Sequence, residues 1–442
     1  MRVLFSFLLL LSLVSKAQKN YPSLIDQYLH AQAKVNDFSG AVLVAKNDKV
    51  IYEKAFGLAN REWNIPNTVR TKFRIGSITK QFTAAAVLQL VESGKLHLED
   101  KLSKYFPDFP NADSVTLHML LTHTSGIKSY TSMAKFATVK TLPYEKDSVV
   151  AFFKSEPYEF SPGTKYNYNN SGYFLLGYII EKVSGYTYSD YVYNNLVKKA
   201  GLQNTFVDKA DSILMYRAEA YSRTKSGWRH ADYISMEFPY SAGAIVSTVE
   251  DLYKWNKALH SGKIVSPGML SKMTTPYMNK YGYGIAIDSF DNRKRIRHSG
   301  GISGFVSYDV YFPTEDMHIV VLSNNSSNSP AIANAISAML FDKEIIFPYK
   351  HQAVKLDSTT LIKYVGKYQT GDGIYEVLLK DGKLYRKVEG SPDMELIPES
   401  PHKFFYADES DRQLNFVLNS NNDIRKVQLI VWGLVEELKK IN

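Results

Sequence analysis

Ser77 and Lys80 are separated by one helical turn at the head of an apolar stretch. Side chains at i and i+3 share a helix face. A serine hydroxyl becomes an effective nucleophile when a base takes its proton, and a lysine is such a base once burial or nearby positive charge lowers its pKa. Phe82, Ala84, Ala85, Ala86, Val87, Leu88, Leu90 and Val91 make the run from Ser77 to about Ser93 apolar almost all round. That pattern predicts a buried helix ending at Gly94, with an N-terminus that favours negative charge developing on Ser77. The spacing alone carries almost no weight. Ser-x-x-Lys recurs at Ser125/Lys128, Ser132/Lys135, Ser222/Lys225 and Ser400/Lys403. Only the Ser77 copy precedes a long apolar run.

Two further clusters could complete a site. Tyr168-Asn169-Asn170 follows the loop signal Pro162-Gly163. A tyrosine near Ser77 can carry protons if Lys80 stabilises its phenolate, and an asparagine amide can meet a substrate carbonyl or hold a lysine. Tyr-x-Asn also occurs at Tyr193/Asn195 and Tyr277/Asn279, so it too is weak alone. His298-Ser299-Gly300-Gly301 ends a strand-like run and enters a glycine-rich turn continuing to Gly304. Glycine lets a substrate backbone lie close against a strand edge. His298 is either a partner of Ser77 or substrate, or a strand histidine satisfied by backbone.

The elements that must position these residues are legible as patterns. Residues 21–36 and 172–183 read as helices, as do 252–259 and 330–341. Residues 39–45, 50–56, 281–287, 295–298, 306–312 and 318–323 read as strands. Strands at both ends with helices between predict an α+β fold: an antiparallel sheet flanked by helices, carrying a helical insertion over about 95–240. After Phe347-Pro348 short strands and turn signals at Gly371-Asp372-Gly373 and Lys380-Asp381-Gly382 predict a small antiparallel β-barrel. The expected division is 1–17, 18–348 and 349–442.

Residues 1–17 read as a secretory signal: Arg2, then an apolar core from Val3 to Val14 too short to span a bilayer, then Ser15-Lys16-Ala17. The expected location is therefore periplasmic or secreted, with no stable membrane anchor after cleavage. The 442 residues contain no cysteine, which excludes disulfides, thiolate metal sites and a cysteine nucleophile. Loss of Arg2 and Lys16 lowers the formal charge from +9 to +7, and the remaining basic residues form no single run, so nucleic-acid binding is not indicated.

In order along the chain, Ser77-Ile-Thr-Lys80, Tyr168-Asn-Asn170 and His298-Ser-Gly300 resemble the serine β-lactamase and penicillin-binding protein superfamily. The likeness is greatest to the branch of class C β-lactamases, D-aminopeptidases, D,D-carboxypeptidases and their esterase relatives. Leu120-Leu-Thr-His-Thr-Ser-Gly126, Pro162-Gly163, Ser171-Gly-Tyr-Phe-Leu-Leu-Gly177 and Ser247-Thr248 with Asp251-Leu252 fit as well. The resemblance covers about residues 22–345. It implies that Ser77 is acylated and that Lys80 and Tyr168 activate it and later a water. Asn170, His298 and Gly300 would contact substrate, Asn170 alternatively holding Lys80. The backbone N–H groups of Ser77 and Gly301 would form an oxyanion hole. His123 is read as structural, and no cofactor or metal is implied. The third cluster departs from the family's Lys-Thr-Gly, because a histidine there is mostly neutral near pH 7. That favours an ester, amide or D-peptide substrate, cell-wall peptides among them, over a β-lactam. A non-catalytic receptor for cell-wall fragments is the reading from another class. The C-terminal segment resembles lipocalin-like barrels appended to some members.

Overall fold

The computed structural model describes residues 19–441 except 210, 372, 389, 409 and 410; the predicted signal segment and Asp372 of the predicted turn lie outside the described residues. Helix α1 (Tyr21–Val35) leads into β1 (Gly40–Lys46) and β2 (Lys49–Phe56). The chain then enters the helical region, with α2 (Thr79–Glu92), α3 (Asn170–Ser184) and α4 (Val249–His260). It returns through β3 (Ala286–Phe290), β4 (Arg293–Ile302), β5 (Phe305–Phe312), β6 (Met317–Ser323) and α5 (Ser329–Leu340). The strands form one antiparallel sheet in the order β3-β4-β5-β6-β1-β2, which joins the two ends of this unit.

β1 reads as a continuous apolar run because both of its faces are covered. Ala41, Leu43 and Ala45 face the core shared with α2, α3 and α4, while Val42 and Val44 face the core shared with α1 and α5. The alternation is the two-residue period of a strand. Helix α2 runs through the first of these cores. Eleven of its residues are buried, from Thr79 to Leu90, and Phe82 stacks on Trp255 of α4 with ring centres 3.9 Å apart. This is the buried helix that the sequence predicts, except that it begins two residues later. Gly76–Ile78 forms a tighter 3-10 turn first, so Ser77 projects from the helix mouth rather than from its side.

Two elements depart from expectation. Residues 281–285, read as strand, are loop, and β3 begins at Ala286. Gly284 explains this: it sits at φ +72°, and a Cβ there would lie 2.4 Å from the Lys80 carbonyl, so the loop folds down onto α2 instead of extending. Within the helical region Tyr221–Thr224 pairs with Gly227–His230 as a hairpin that no strand pattern announces.

Beyond residue 366 eight strands close into an antiparallel barrel: Gly366–Gln369, Ile374–Lys380, Lys383–Lys387, Met394–Ser400, Lys403–Tyr406, Arg412–Leu418, Ile424–Val431 and Leu434–Ile441. Tyr364, Phe404 and Phe416 pack together among its buried residues, as expected for a barrel of this strand number, whose interior is just wide enough for side chains. The barrel touches the first unit where the Ile346 N–H donates to the Gly433 carbonyl at 2.9 Å.

Candidate active site

The buried face of α2 brings Lys80 under Ser77. Lys80 is fully buried, and its Nζ lies 3.0 Å from Ser77 Oγ, 2.8 Å from Asn170 Oδ1 and 2.8 Å from the Ala242 carbonyl. Burial drives its pKa well below the usual lysine value, because the charged amine would lose its hydration. The neutral amine has two N–H groups and one lone pair. Asn170 Oδ1 and the Ala242 carbonyl are acceptors and take both N–H groups. The lone pair is left facing the Ser77 hydroxyl, the geometry of a general base.

Asn170 is held in turn. Its Nδ2 donates to Thr131 Oγ1 at 3.0 Å and its N–H to Ser129 Oγ at 3.2 Å. Asn169 caps α3, accepting the Gly172 N–H at 2.7 Å. His123 receives the Asn169 N–H on Nδ1 at 3.0 Å and the Asn167 N–H on its carbonyl at 3.0 Å. It thus anchors the turn carrying Tyr168 and Asn170, as its structural reading requires.

The Tyr168 ring lies over Lys80, with Nζ 4.8 Å from its centre. Its hydroxyl is shielded from solvent and has no hydrogen-bond partner within normal limits, although Ser77 is near enough to favour its ionised form. Burial outweighs that influence and raises its pKa, so Tyr168 stays protonated beside a neutral Lys80.

β4 supplies the other wall. The two-residue turn at Ser303-Gly304 makes Ile302/Phe305 and Gly300/Ser307 the hydrogen-bonding pairs with β5, so Gly301 turns its N–H away from β5. That N–H lies against Gly76, where a Cβ would approach it to 2.8 Å. β3 pairs with β4 only as far as Arg297, leaving 298–301 as an open strand edge. Ser77, Asn170 and Gly301 line one cavity of about 230 Å³, walled by Tyr130, Phe136, Ile234 and Ile302.

Two predicted contacts are corrected. His298 does not reach Ser77: its Nδ1 donates to the Ser299 carbonyl at 2.6 Å, and its Nε2 accepts from the Tyr281 hydroxyl at 2.8 Å. Both ring nitrogens are occupied, so no ring nitrogen is left for substrate. Burial, with a lesser push from Lys80, brings its pKa down to about 3. Gly300 is buried and is not among the residues lining the cavity. A Cβ there would lie 1.9 Å from the Ile75 carbonyl and 2.4 Å from Ser307 Oγ, so this glycine allows β4 to approach the Ser77 turn.

The residues that sequence reasoning missed are the Ala242 carbonyl, Thr131 and Tyr281. A backbone acceptor leaves no side-chain signal, and the other two act through groups they touch.

Sheet, buried helix and cavity define a β-lactamase-fold protein. The Beta-lactamase family model matches residues 25–342, and the chain belongs to that family. It is 32% identical over 295 residues to the penicillin-binding protein PbpX of Bacillus subtilis, spanning 66% of this chain and 72% of that protein. It is 29% identical over 306 residues to a teichoic acid D-alanine hydrolase of Staphylococcus aureus, spanning 68% and 72%. The solved octameric penicillin-binding protein homologue of Pyrococcus abyssi superposes with TM-score 0.67 at 28% identity, over 94% of this chain and 99% of that one. The chain's relatives thus include a hydrolase, and no described helix is long and apolar enough to cross a membrane.

Proposed function

We propose that this protein is an exported serine hydrolase that forms an acyl-enzyme on Ser77 and cleaves an ester or amide bond. The observation that carries the reading is that Lys80 Nζ lies 3.0 Å from Ser77 Oγ, with Asn170 Oδ1 and the Ala242 carbonyl, both at 2.8 Å, as acceptors for its N–H groups. Ser77 Oγ attacks the substrate carbonyl carbon as its proton passes to Lys80. The N–H groups of Ser77 and Gly301 receive the oxyanion, a contribution often worth about 3 kcal/mol per donor. Protonated Tyr168 gives its proton to the leaving group and regains one from Lys80. A water then loses its proton to the same pair, attacks the acyl carbon and frees Ser77.

The neutral, internally satisfied His298 supports an ester or small amide over a β-lactam, since it offers no cation where β-lactamases place one. The teichoic acid D-alanine hydrolase relative supports a D-alanyl ester as one such substrate, and D-peptides of the cell wall are the next candidates. A steady-state panel of 4-nitrophenyl butyrate, a D-Ala-D-Ala peptide and nitrocefin separates these. Turnover of the ester is expected. Fast nitrocefin turnover with an untouched ester would contradict the reading of His298, and a stable adduct without turnover would favour a receptor.

A further inference from the structure

We propose that the seam between the first unit and the barrel holds a binding site for an uncharged saccharide, separate from the Ser77 cavity and independent of the hydrolase reading above. A cavity of about 640 Å³ lies there, within the usual size of a small-molecule site. Phe38, Trp228 and Asn328 of the first unit line it together with Trp432 of the barrel. Among the described residues lining it, Arg223 alone carries a formal charge, and Arg223 pairs with Asp37, so an ion meets no unanswered charge. Trp432 and Gly433 form the two-residue turn between Ile424–Val431 and Leu434–Ile441, at φ +51° and +83°. Such a turn needs positive φ at both positions, which Asn-Gly meets at little cost and a bulky tryptophan does not. Strain of this kind gathers at ligand clamps. The Trp432 ring is half-buried and lines the cavity rather than joining the barrel core. Ser326, which also lines the cavity, sits at φ +61°.

The chemistry of the lining fits a sugar. The C–H groups of a pyranose ring are slightly positive and pack on the negative face of an indole, while its hydroxyls need donors and acceptors together. Trp228 and Trp432 supply two indoles, and the Arg61 guanidinium fixes the first, 3.9 Å from its ring centre. Asn36 gives Nδ2 to Gln32 Oε1 at 2.8 Å, and Asn328 receives the Ala331 N–H on Oδ1 at 3.1 Å. Asn36 Oδ1 is then an acceptor and Asn328 Nδ2 a donor for a ligand hydroxyl. A purely apolar ligand would leave both amides unanswered. The site lies close to the Ser77 cavity along the chain: the Ser326 N–H donates to the Gly304 carbonyl at 2.7 Å, and the adjoining Ser303 lines that cavity.

Isothermal titration of the whole protein tests the assignment, with N,N′-diacetylchitobiose, maltose and lactose as neutral sugars, chitobiose as a cationic one, and tri-alanine as a peptide. At least one neutral sugar should bind saturably, ahead of chitobiose and tri-alanine. Trp432→Asn should weaken that binding at least about tenfold while Tm does not fall, because asparagine suits the turn better than tryptophan. Trp228→Leu should weaken it to a similar degree. Binding that survives both substitutions, preference for chitobiose or tri-alanine over every neutral sugar, or no binding of any neutral sugar would overturn the assignment. A Tm that falls in Trp432→Asn would mark the indole as a wedge seating the barrel, and Trp228→Leu then decides: retained binding overturns the site, and lost binding with a native Tm upholds it. Ser77→Ala should bind the sugar as the wild type does, so the result stands whether or not Ser77 is acylated.

Discussion

Ser77/Lys80 and Ser132/Lys135 share a spacing and a local shape, for each serine lies in a 3-10 turn, Gly76–Ile78 and Tyr130–Ser132. Their surroundings are opposite. Lys135 is exposed and pairs with Glu156 at 2.9 Å, while the Ser132 hydroxyl donates to the Ser129 carbonyl at 2.8 Å. Lys80 has no carboxylate partner in its contacts, only acceptors that spend its N–H groups, and burial removes its charge. A paired, hydrated lysine keeps its proton; a buried one gives it up. The difference lies in what packs directly on the lysine, from α3 and from the segment carrying Ala242.

The comparison breaks most decisively at the serines. Ser77→Ala should lower kcat/KM at least about ten-thousand-fold, whereas Ser132→Ala should leave it within about twofold. Lys80→Met should cost roughly a thousandfold, the scale of a lost general base. Circular dichroism of that variant should remain native, so that the loss reads chemistry.

The pH dependence sharpens the same contrast. Activity needs neutral Lys80, so kcat/KM on a neutral ester should rise with pH and level off well below the ordinary lysine pKa of 10.5. A rate still climbing through pH 10.5 would contradict this. Stability follows the same proton. Between the lowered folded value and 10.5 the unfolded chain binds a proton that the folded chain lacks, so stability increases with pH across that window and is lost as pH falls through it. His298 behaves alike at lower pH: folded near 3 against 6.5 unfolded, it costs stability progressively as pH drops from 6.5 toward 3, visible as a falling Tm that His298→Gln should blunt.

Smaller effects are expected at the glycines. Gly300→Ala forces a Cβ against the Ile75 carbonyl and should cost about 1–3 kcal/mol by denaturant unfolding. Gly301→Ala meets no atom within 4 Å and should stay within about 0.5 kcal/mol. Lys135→Ala should be the smallest, also within about 0.5 kcal/mol and with an unchanged pH profile.

Much of the fold was legible because apolar periodicity marks elements buried on a known face: α2, β1, β5, β6 and α5 all lie within a few residues of expectation. Two barrel strands were not. Met394–Ser400 contains Pro398, which argues against a strand, yet the ladder accommodates it at an irregular register between Pro398 and Ser400. Leu434–Ile441 alternates poorly, with charged residues in a row, and is a strand only because its neighbours on both sides pair with it. At the site, Ser77, Lys80, Tyr168 and Asn170 come together as their order along the chain implied. What the residues could not reveal was who satisfies whom. His298 is consumed by Tyr281 and a carbonyl, and Thr248 with Asp251 proves to be a helix cap, with Thr248 Oγ1 accepting the Asp251 N–H at 3.2 Å.

The central claim is that Ser77, alone among these serines, is acylated. Treating the wild-type protein with a fluorophosphonate and mapping the adduct by peptide mass spectrometry tests it most directly. One phosphonyl group on the peptide containing Ser77, absent from Ser77→Ala and retained in Ser132→Ala, is the predicted result. Labelling that survives in Ser77→Ala, or that maps to another residue, would contradict it.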